Sequence, residues 1–236
     1  MSLFLSHRGE SDDAPENTLA AYRLAMDLDS DGIELDIRLT SDGQVVCVHD
    51  ADLQRVAGVS LNVAEHTLEE LRKHHPIPLL KEMLAVLKPG KHLQIELKGS
   101  DPAIVPALKE VLRETGVDFS QLALSSFEES TILRAAEAFP ALPRLILTDL
   151  TALFGTFPAA EQVAGYLNRL HCTGVSFKAD PAATAEFVTA LHKLGFRVVC
   201  WGVSSDELGL AMDAVGVDAM TCNHAVSLRE KRKKLN

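Results

Sequence analysis

Short runs of β-branched and other apolar residues alternate along the chain with longer segments in which apolar residues recur every three or four positions. The first pattern is typical of buried strands and the second of amphipathic helices. We predict nine strands, at residues 3–7, 31–38, 45–48, 92–97, 121–126, 143–148, 173–177, 196–201 and 217–221. The predicted helices cover residues 17–28, 68–73, 78–87, 102–115, 128–138, 158–169, 181–194, 205–214 and 223–233. Asp101 and Asp180 each precede a proline and are the predicted N-caps of the helices at 102 and 181.

The third predicted strand differs from the others in its connection. It follows the second strand across Ser41-Asp42-Gly43, a hairpin signal, and should therefore run antiparallel to it. The other eight strands alternate with helical or connecting segments in 236 residues, the expected size of a (β/α)8 TIM barrel. An open doubly wound sheet is the alternative. Residues 50–77 contain one weak helix, and we expect a small insertion after the second strand, over the barrel mouth, within one domain spanning residues 1–236.

The charge and the cysteines narrow the class of protein. A formal net charge of -10 argues against a nucleic-acid partner, although a local basic pocket for one phosphate is compatible with it. Residues 1–6 lack the basic flank and long apolar run of a signal peptide, and we find no apolar run that could span a bilayer. Four widely spaced cysteines are typical of reduced thiols. We therefore expect a cytoplasmic protein with a small-molecule substrate; the sequence does not indicate an oligomeric state.

Two acids alternate with apolar residues in the second predicted strand. Glu34 and Asp36 point to one face, because successive strand side chains point to opposite faces. Two carboxylates on a buried face repel one another unless a cation lies between them, and hard ions such as Ca²⁺ or Mg²⁺ suit oxygen ligands. An exposed edge strand with its polar face in water is an equally good explanation of this motif alone. Glu96, in the fourth strand, is a candidate third ligand.

Two histidines are expected near these acids. The hairpin folds the chain back so that His49 lies close to Asp36. His7 ends the first strand, and in a barrel the carboxyl ends of the strands share one mouth. A histidine beside an acidic pair is a candidate general acid or base, whereas a lone histidine at a strand end is more often structural.

Other polar residues surround this group. Arg8 has the planar fork that suits a phosphate, and Lys98 is a candidate phosphate contact or, alternatively, a solvated strand-end lysine. Glu16 and Asn17 are close enough in sequence to orient Arg8 or His7, although simple capping of the first helix would also explain them. We also expect Asp50 to support the adjacent histidine.

Several segments, in this order, resemble the glycerophosphodiester phosphodiesterase family. They are His7-Arg8-Gly9, Pro15-Glu16-Asn17-Thr18, Gly32-Ile33-Glu34-Leu35-Asp36, Asp42-Gly43, His49-Asp50, Ile77-Pro78-Leu79, Ile95-Glu96-Leu97-Lys98, Ser126-Phe127 and Trp201. The resemblance implies a (β/α)8 barrel with a small insertion, and hydrolysis of a glycerophosphodiester to glycerol 3-phosphate and an alcohol.

The same resemblance implies roles for individual residues. Glu34, Asp36 and Glu96 would hold one divalent cation, Ca²⁺ or Mg²⁺, with Mn²⁺ as a third candidate. His7 and His49 would form the acid–base pair, with Arg8 near the phosphate. From their own positions at predicted strand ends, Phe127 and Trp201 are candidates to line the mouth and hold the glycerol or the headgroup, although aromatic residues at strand ends often serve only in packing.

Three segments depart from the family pattern. Val56-Ala57-Gly58 replaces a Thr-Asn-Gly turn, Gly202-Val203-Ser204 replaces Thr-Val-Asn, and Thr221-Cys222-Asn223-His224 stands where the family has Thr-Asp before a proline. They lie in loops expected to contact the substrate, so they bear on substrate identity. The alternatives are another phosphodiester, such as a lysophospholipid, and a barrel that binds a phosphorylated metabolite without catalysis. Cys222 and His224 face the site in one interpretation, although no base beside Cys222 indicates a nucleophile.

Overall fold

The first strand, Leu3–His7 (β1), pairs on one side with Gly32–Leu39 (β2) and on the other with the last strand, Ala219–Cys222 (β9). This double pairing closes the sheet in the computed structural model, which describes residues 2–235. The remaining strands are Val45–Cys47 (β3), His92–Leu97 (β4), Leu122–Ser126 (β5), Arg144–Thr148 (β6), Gly174–Lys178 (β7) and Arg197–Trp201 (β8). All pairings are parallel except that of β3, so the predicted TIM barrel is confirmed and the open sheet is excluded.

Helices cover the outside of the barrel and bury apolar stripes against it. In Ala160–Arg169, for example, the buried residues recur at helical spacing. The helices are Leu19–Asp27 (α1), Gln54–Ala57 (α2), Leu68–Arg72 (α3), Leu80–Leu84 (α4), Ile104–Thr115 (α5), Glu129–Ala138 (α6), Leu150–Phe154 (α7), Ala160–Arg169 (α8), Ala185–Lys193 (α9), Asp206–Val215 (α10) and Ala225–Leu235 (α11). Between residues 2 and 235, no helix has the length and apolar character needed to cross a membrane.

Most helices begin one or more residues later than predicted, and at two of them, α5 and α9, the cause is a turn. The carboxylates of Asp101 and Asp180 accept hydrogen bonds from the N–H groups two residues on, Ala103 and Ala182, each at 2.8 Å. These are turns, not helix caps, so the helices start at 104 and 185 rather than at 102 and 181. The short helices α2 and α7, of four and five residues, were not predicted.

The predicted hairpin between β2 and β3 is confirmed. Gly43 has φ of 74° in the turn, and Ile37 pairs with Cys47. Two strands pair with the same edge of β2: β1 pairs with its first residues, and β3 pairs with its last residues. The outer edge of β3 is covered in turn by the segment before α4, where Cys47 donates to the carbonyl of Pro78 at 2.9 Å. The hairpin thereby returns the chain to the carboxyl end of the barrel at His49.

Residues 50–77 follow this hairpin and contain two short helices, α2 and α3, instead of the single helix expected. Their apolar side chains join those of β3 in a small core of their own, made of Val46, Val48, Leu53, Val63, Leu68, Leu71 and Ile77. This packing fixes the insertion beside the strand that leads to His49.

Candidate active site

Strand register brings the acidic side chains of neighbouring strands together. His7 pairs with Glu34 across β1 and β2, and Asp36 pairs with Glu96 across β2 and β4. One carboxylate oxygen from each of Glu34, Asp36 and Glu96 lies within 4.8 Å of the others. None of the three residues is more than 6% exposed, so an edge strand with its polar face in water is excluded. The sequence therefore identified three acids that do lie together.

Two cations already neutralise part of this cluster. Lys98 Nζ lies 3.0 Å from Asp36 Oδ1 and 2.6 Å from Glu96 Oε1. Arg8 Nε lies 3.1 Å from Asp36 Oδ2. The Lys98 side chain is 10% exposed, so it is not a solvated strand-end lysine. Three carboxylates thus face two fixed cations, which leaves an excess of negative charge.

Glu34 is the acid for which this excess of negative charge is least compensated. Within residues 2–235, Glu34 Oε2 has no hydrogen-bond partner. Burial, together with repulsion from Asp36 and Glu96, raises the pKa of Glu34 well above its usual range. Burial also acts to raise the pKa of Asp36, but Lys98 and Arg8 outweigh it and hold that pKa below its usual value. A buried, unpartnered carboxylate oxygen in an all-oxygen donor set fits a hard divalent cation such as Ca²⁺, Mg²⁺ or Mn²⁺.

The turn after β1 aims Arg8 at the acids. Arg8 has φ of 57° and Gly9 has φ of 83°, in the left-handed region that favours glycine. A Cβ on Gly9 would lie 2.7 Å from the backbone carbon of Ala21, so the chain passes too close to α1 for any side chain there. The tight turn leaves the guanidinium between Asp36 and Glu16, whose Oε1 accepts from Arg8 Nη1 at 3.0 Å.

Glu16 and Asn17 do not cap α1. The cap is Thr18, whose hydroxyl accepts from the N–H of Ala21 at 3.3 Å. Asn17 instead donates to Asp36 Oδ2 at 2.8 Å and accepts from the hydroxyl of Tyr22 at 2.7 Å. The capping interpretation is therefore wrong for both residues, and each contacts a residue of the site.

The two histidines have different partners. His7 Nδ1 lies 2.7 Å from Asn223 Oδ1, and its Nε2 is 3.9 Å from Glu34 Oε2. His49 Nδ1 lies 2.7 Å from Asp50 Oδ1. Burial is the main cause that lowers the pKa of both imidazoles, and Arg8 adds to the effect at His7. The partner of His7 is thus a neutral amide, whereas the partner of His49 is a carboxylate.

A cavity of about 540 Å³ opens at this end of the barrel. Its polar wall contains all the predicted catalytic and phosphate-contacting residues, and its apolar wall contains both predicted aromatics. Phe127 and Trp201 meet edge to face, with ring centroids 5.3 Å apart, and Lys98 Nζ is 5.8 Å from the Phe127 centroid. The lining includes His7, Arg8, Glu34, His49, Glu96, Lys98, Phe127, Leu147, Trp201 and Val203. The volume is that of a small-molecule site.

Two polar residues of this region were not proposed from the sequence as part of the site. Asn223 was noticed only as a departure from a family motif, and Arg55 was not noticed, although it follows Asp50 by five residues. Of the uncertain residues, His224 lines the cavity and pairs with Asp206 at 3.2 Å. Cys222 also lines it, but burial raises the pKa of its thiol to about 12, so it is not a ready nucleophile.

Comparison with known proteins gives one consistent result. The sequence profile of the glycerophosphoryl diester phosphodiesterase family matches residues 7–226. The glycerophosphodiester phosphodiesterase of Bacillus altitudinis is 28% identical over 254 residues, covering 99% of this chain and all of that relative.

Two solved structures have the same fold. A phosphodiesterase from Oleispira antarctica, in complex with the product sn-glycerol-3-phosphate, superposes with a TM-score of 0.85 at 25% identity, over 98% of this chain and 96% of that one. A glycerophosphodiester phosphodiesterase from Thermotoga maritima gives a TM-score of 0.82 at 24% identity, over 98% and 99% of the two chains.

Proposed function

The chain belongs to the glycerophosphoryl diester phosphodiesterase family, and on that premise we propose that it hydrolyses glycerophosphodiesters to glycerol 3-phosphate and an alcohol. The main support for this proposal is a single cavity that brings together two histidines, two basic side chains that can bind a phosphate, Arg8 and Lys98, and a buried acidic cluster. A single divalent cation held by Glu34, Asp36 and Glu96 would supply Lewis-acid polarisation of a phosphoryl oxygen. We assign proton transfer and phosphate binding to the side chains of the cavity.

We assign the general base to His7 and the general acid to His49. With Asn223 Oδ1 as the acceptor, the hydrogen of His7 lies on Nδ1 and leaves Nε2 free to take a proton from the nucleophile. The Asp50 carboxylate instead stabilises a protonated His49, which can give its proton to the leaving alkoxide. The positive charge of the neighbouring Arg8 disfavours protonation of His7, which agrees with the assignment of His7 as the base.

Arg8 and Lys98 are assigned to the phosphate. Both side chains line the cavity, and each also contacts Asp36 through one of its nitrogen atoms. Each is therefore fixed before the substrate arrives, and a fixed donor stabilises developing charge without reorganising. Phe127 and Trp201 are assigned to the alcohol or glycerol part, since they offer apolar surface in the same cavity.

The direct experiment is to remove divalent ions and restore them singly. Glycerol 3-phosphate release from glycerophosphocholine and glycerophosphoethanolamine is followed after addition of Ca²⁺, Mg²⁺ or Mn²⁺. We expect release to depend on the ion and to be lost in Glu34→Gln. The matched control is Glu10→Gln, because Glu10 is equally buried, at 3% exposed, but accepts from Ser6 and does not line the cavity. Absence of release with every ion, in folded protein, would favour a binding role.

A second substrate class is favoured by the apolar wall. Phe127 is 46% exposed and lines the cavity together with Trp201, Leu147 and Val203. Its exposed ring is apolar surface that a longer alcohol could cover. A lysophospholipid would cover that surface. Phe127→Ala should raise KM for a lysophospholipid several-fold more than for glycerophosphoethanolamine. Phe119→Ala is the control, because Phe119 is 43% exposed outside this cavity. Equal changes with both substrates would argue against the lipid.

A further inference from the structure

Arg55, in the insertion, joins two carboxylates from separate parts of the chain. Its Nη1 and Nη2 donate to the two oxygens of Glu16, both at 2.7 Å, and its Nε donates to Asp50 Oδ2 at 2.6 Å. Glu16 lies in the loop between β1 and α1, whereas Asp50 follows β3. The planar fork of an arginine suits such a double contact, which fixes both distance and orientation.

Each of these carboxylates has a second partner in the proposed active site. Glu16 Oε1 accepts from Arg8 Nη1 at 3.0 Å, and Asp50 Oδ1 lies 2.7 Å from His49 Nδ1. Since Arg8 also contacts Asp36, charges of alternating sign run from Asp36 through Arg8, Glu16, Arg55 and Asp50 to His49. Arg55 itself does not line the cavity.

The exposure of Arg55 separates its two conceivable roles. Its side chain is 49% exposed, and ion pairs of that kind contribute little to the stability of the fold. A role in global stability is therefore small. Orientation is a different matter. Without Arg55, the Asp50 carboxylate keeps only His49 as a hydrogen-bond partner among residues 2–235, and it lies near Glu16, which bears the same charge.

We propose that Arg55 is a positioning residue, which holds Asp50 and thereby the imidazole of His49 in the geometry needed for proton transfer. This inference rests on the proposed function for its catalytic meaning. Arg8 retains its contact with Asp36 when Arg55 is removed, whereas Asp50 loses its cationic partner. The effect of Arg55 therefore falls on the proton transfer at His49 more than on phosphate binding by Arg8.

Kinetics provide the first half of the test. Arg55→Ala should lower kcat by about 10- to 100-fold, the usual range for groups that orient a functional residue, with KM changed by less than about threefold. Arg55→Lys should recover part of kcat, because an ammonium keeps the positive charge but lacks the planar fork that fixes the orientation of both carboxylates. Arg72→Ala is the control within the same insertion, since Arg72 pairs with Glu82 away from the cavity. Its kcat should equal that of the wild type.

The second half does not depend on turnover. In metal-free protein labelled with ¹⁵N at histidine, the Nδ1 resonance of His49, assigned by its loss in His49→Gln, should shift in Arg55→Ala and not in Arg72→Ala. An unmoved His49 resonance in Arg55→Ala would overturn the positioning role, whatever the activity. Lack of activity in the wild type would count against the proposed function instead, and the resonance would still test the positioning.

Discussion

Asn223 Oδ1 lies 2.7 Å from His7 Nδ1, so a residue just after the last strand orients a histidine on the first. Asn223→Asp would replace the neutral acceptor by a carboxylate and raise the pKa of His7. Because a base acts in its unprotonated form, the acidic limb of the kcat/KM profile should move to higher pH by roughly 1 unit.

The same exchange at Asn168, an exposed residue of α8, supplies the control. A profile that does not move in Asn223→Asp would mean that the acidic limb belongs to another group than His7.

The division of labour between the histidines can be separated by the leaving group. His7→Ala and His49→Ala should each lower kcat on glycerophosphocholine at least about a hundredfold. With the glycerophosphoryl ester of p-nitrophenol, whose leaving group needs no proton, His49→Ala should regain most of its activity and His7→Ala should not. His74→Ala, at an exposed position, should match the wild type on both substrates. The reverse pattern would exchange the two roles.

Cation binding should stabilise the protein more at high pH than at low pH. Folding raises the pKa of Glu34, so the metal-free folded state binds more protons than the unfolded chain, and this contribution to stability is lost as the pH rises through the folded pKa. A cation needs the ionised carboxylate, and its affinity therefore rises with pH.

The measurement is the increase in unfolding temperature on addition of Ca²⁺ or Mg²⁺ at about pH 5 and about pH 8. The increase should be larger at the higher pH and should disappear in Glu34→Gln. A cation effect that is equal at both pH values would exclude Glu34 as the titrating ligand.

Gly9 and Gly43 form a matched pair for the turn that carries Arg8. Both have positive φ, of 83° and 74°, but a Cβ on Gly9 would lie 2.7 Å from Ala21, whereas no described atom lies within 4 Å of one on Gly43. Gly43→Ala should lower the free energy of unfolding by about 1 kcal/mol through backbone strain alone. Gly9→Ala should lower it by about 1–3 kcal/mol more, because backbone must move. Denaturant titration of both variants measures the difference, and equal losses would contradict the close approach.

The sequence predicted the strands well because their apolar runs are continuous, and it predicted the acidic cluster because alternation fixes which side chains share a face. It could not predict that Asp101 and Asp180 form turns instead of caps, because both arrangements use the same residue pattern.

Within the site, what the sequence missed depends on distant segments. Asn223 reaches His7 across a sequence separation of 216 residues, and Arg55 reaches Glu16 across 39. No local pattern contains such contacts, since they exist only after the barrel has closed and the insertion has packed on β3. His49 could be predicted because a short hairpin connects it to Asp36.

The cover over β3 has a consequence for solubility. Within residues 2–235, barrel closure leaves no free edge among the eight parallel strands, but β3 is an appended strand of three buried residues, Val45, Val46 and Cys47. The Pro78 carbonyl and the bridge from Val46 to Leu79 occupy its outer edge. If the segment around Pro78 detached, an apolar, β-branched edge would be open to pairing with another chain. The short stretch before α4 therefore protects this protein against edge-to-edge aggregation.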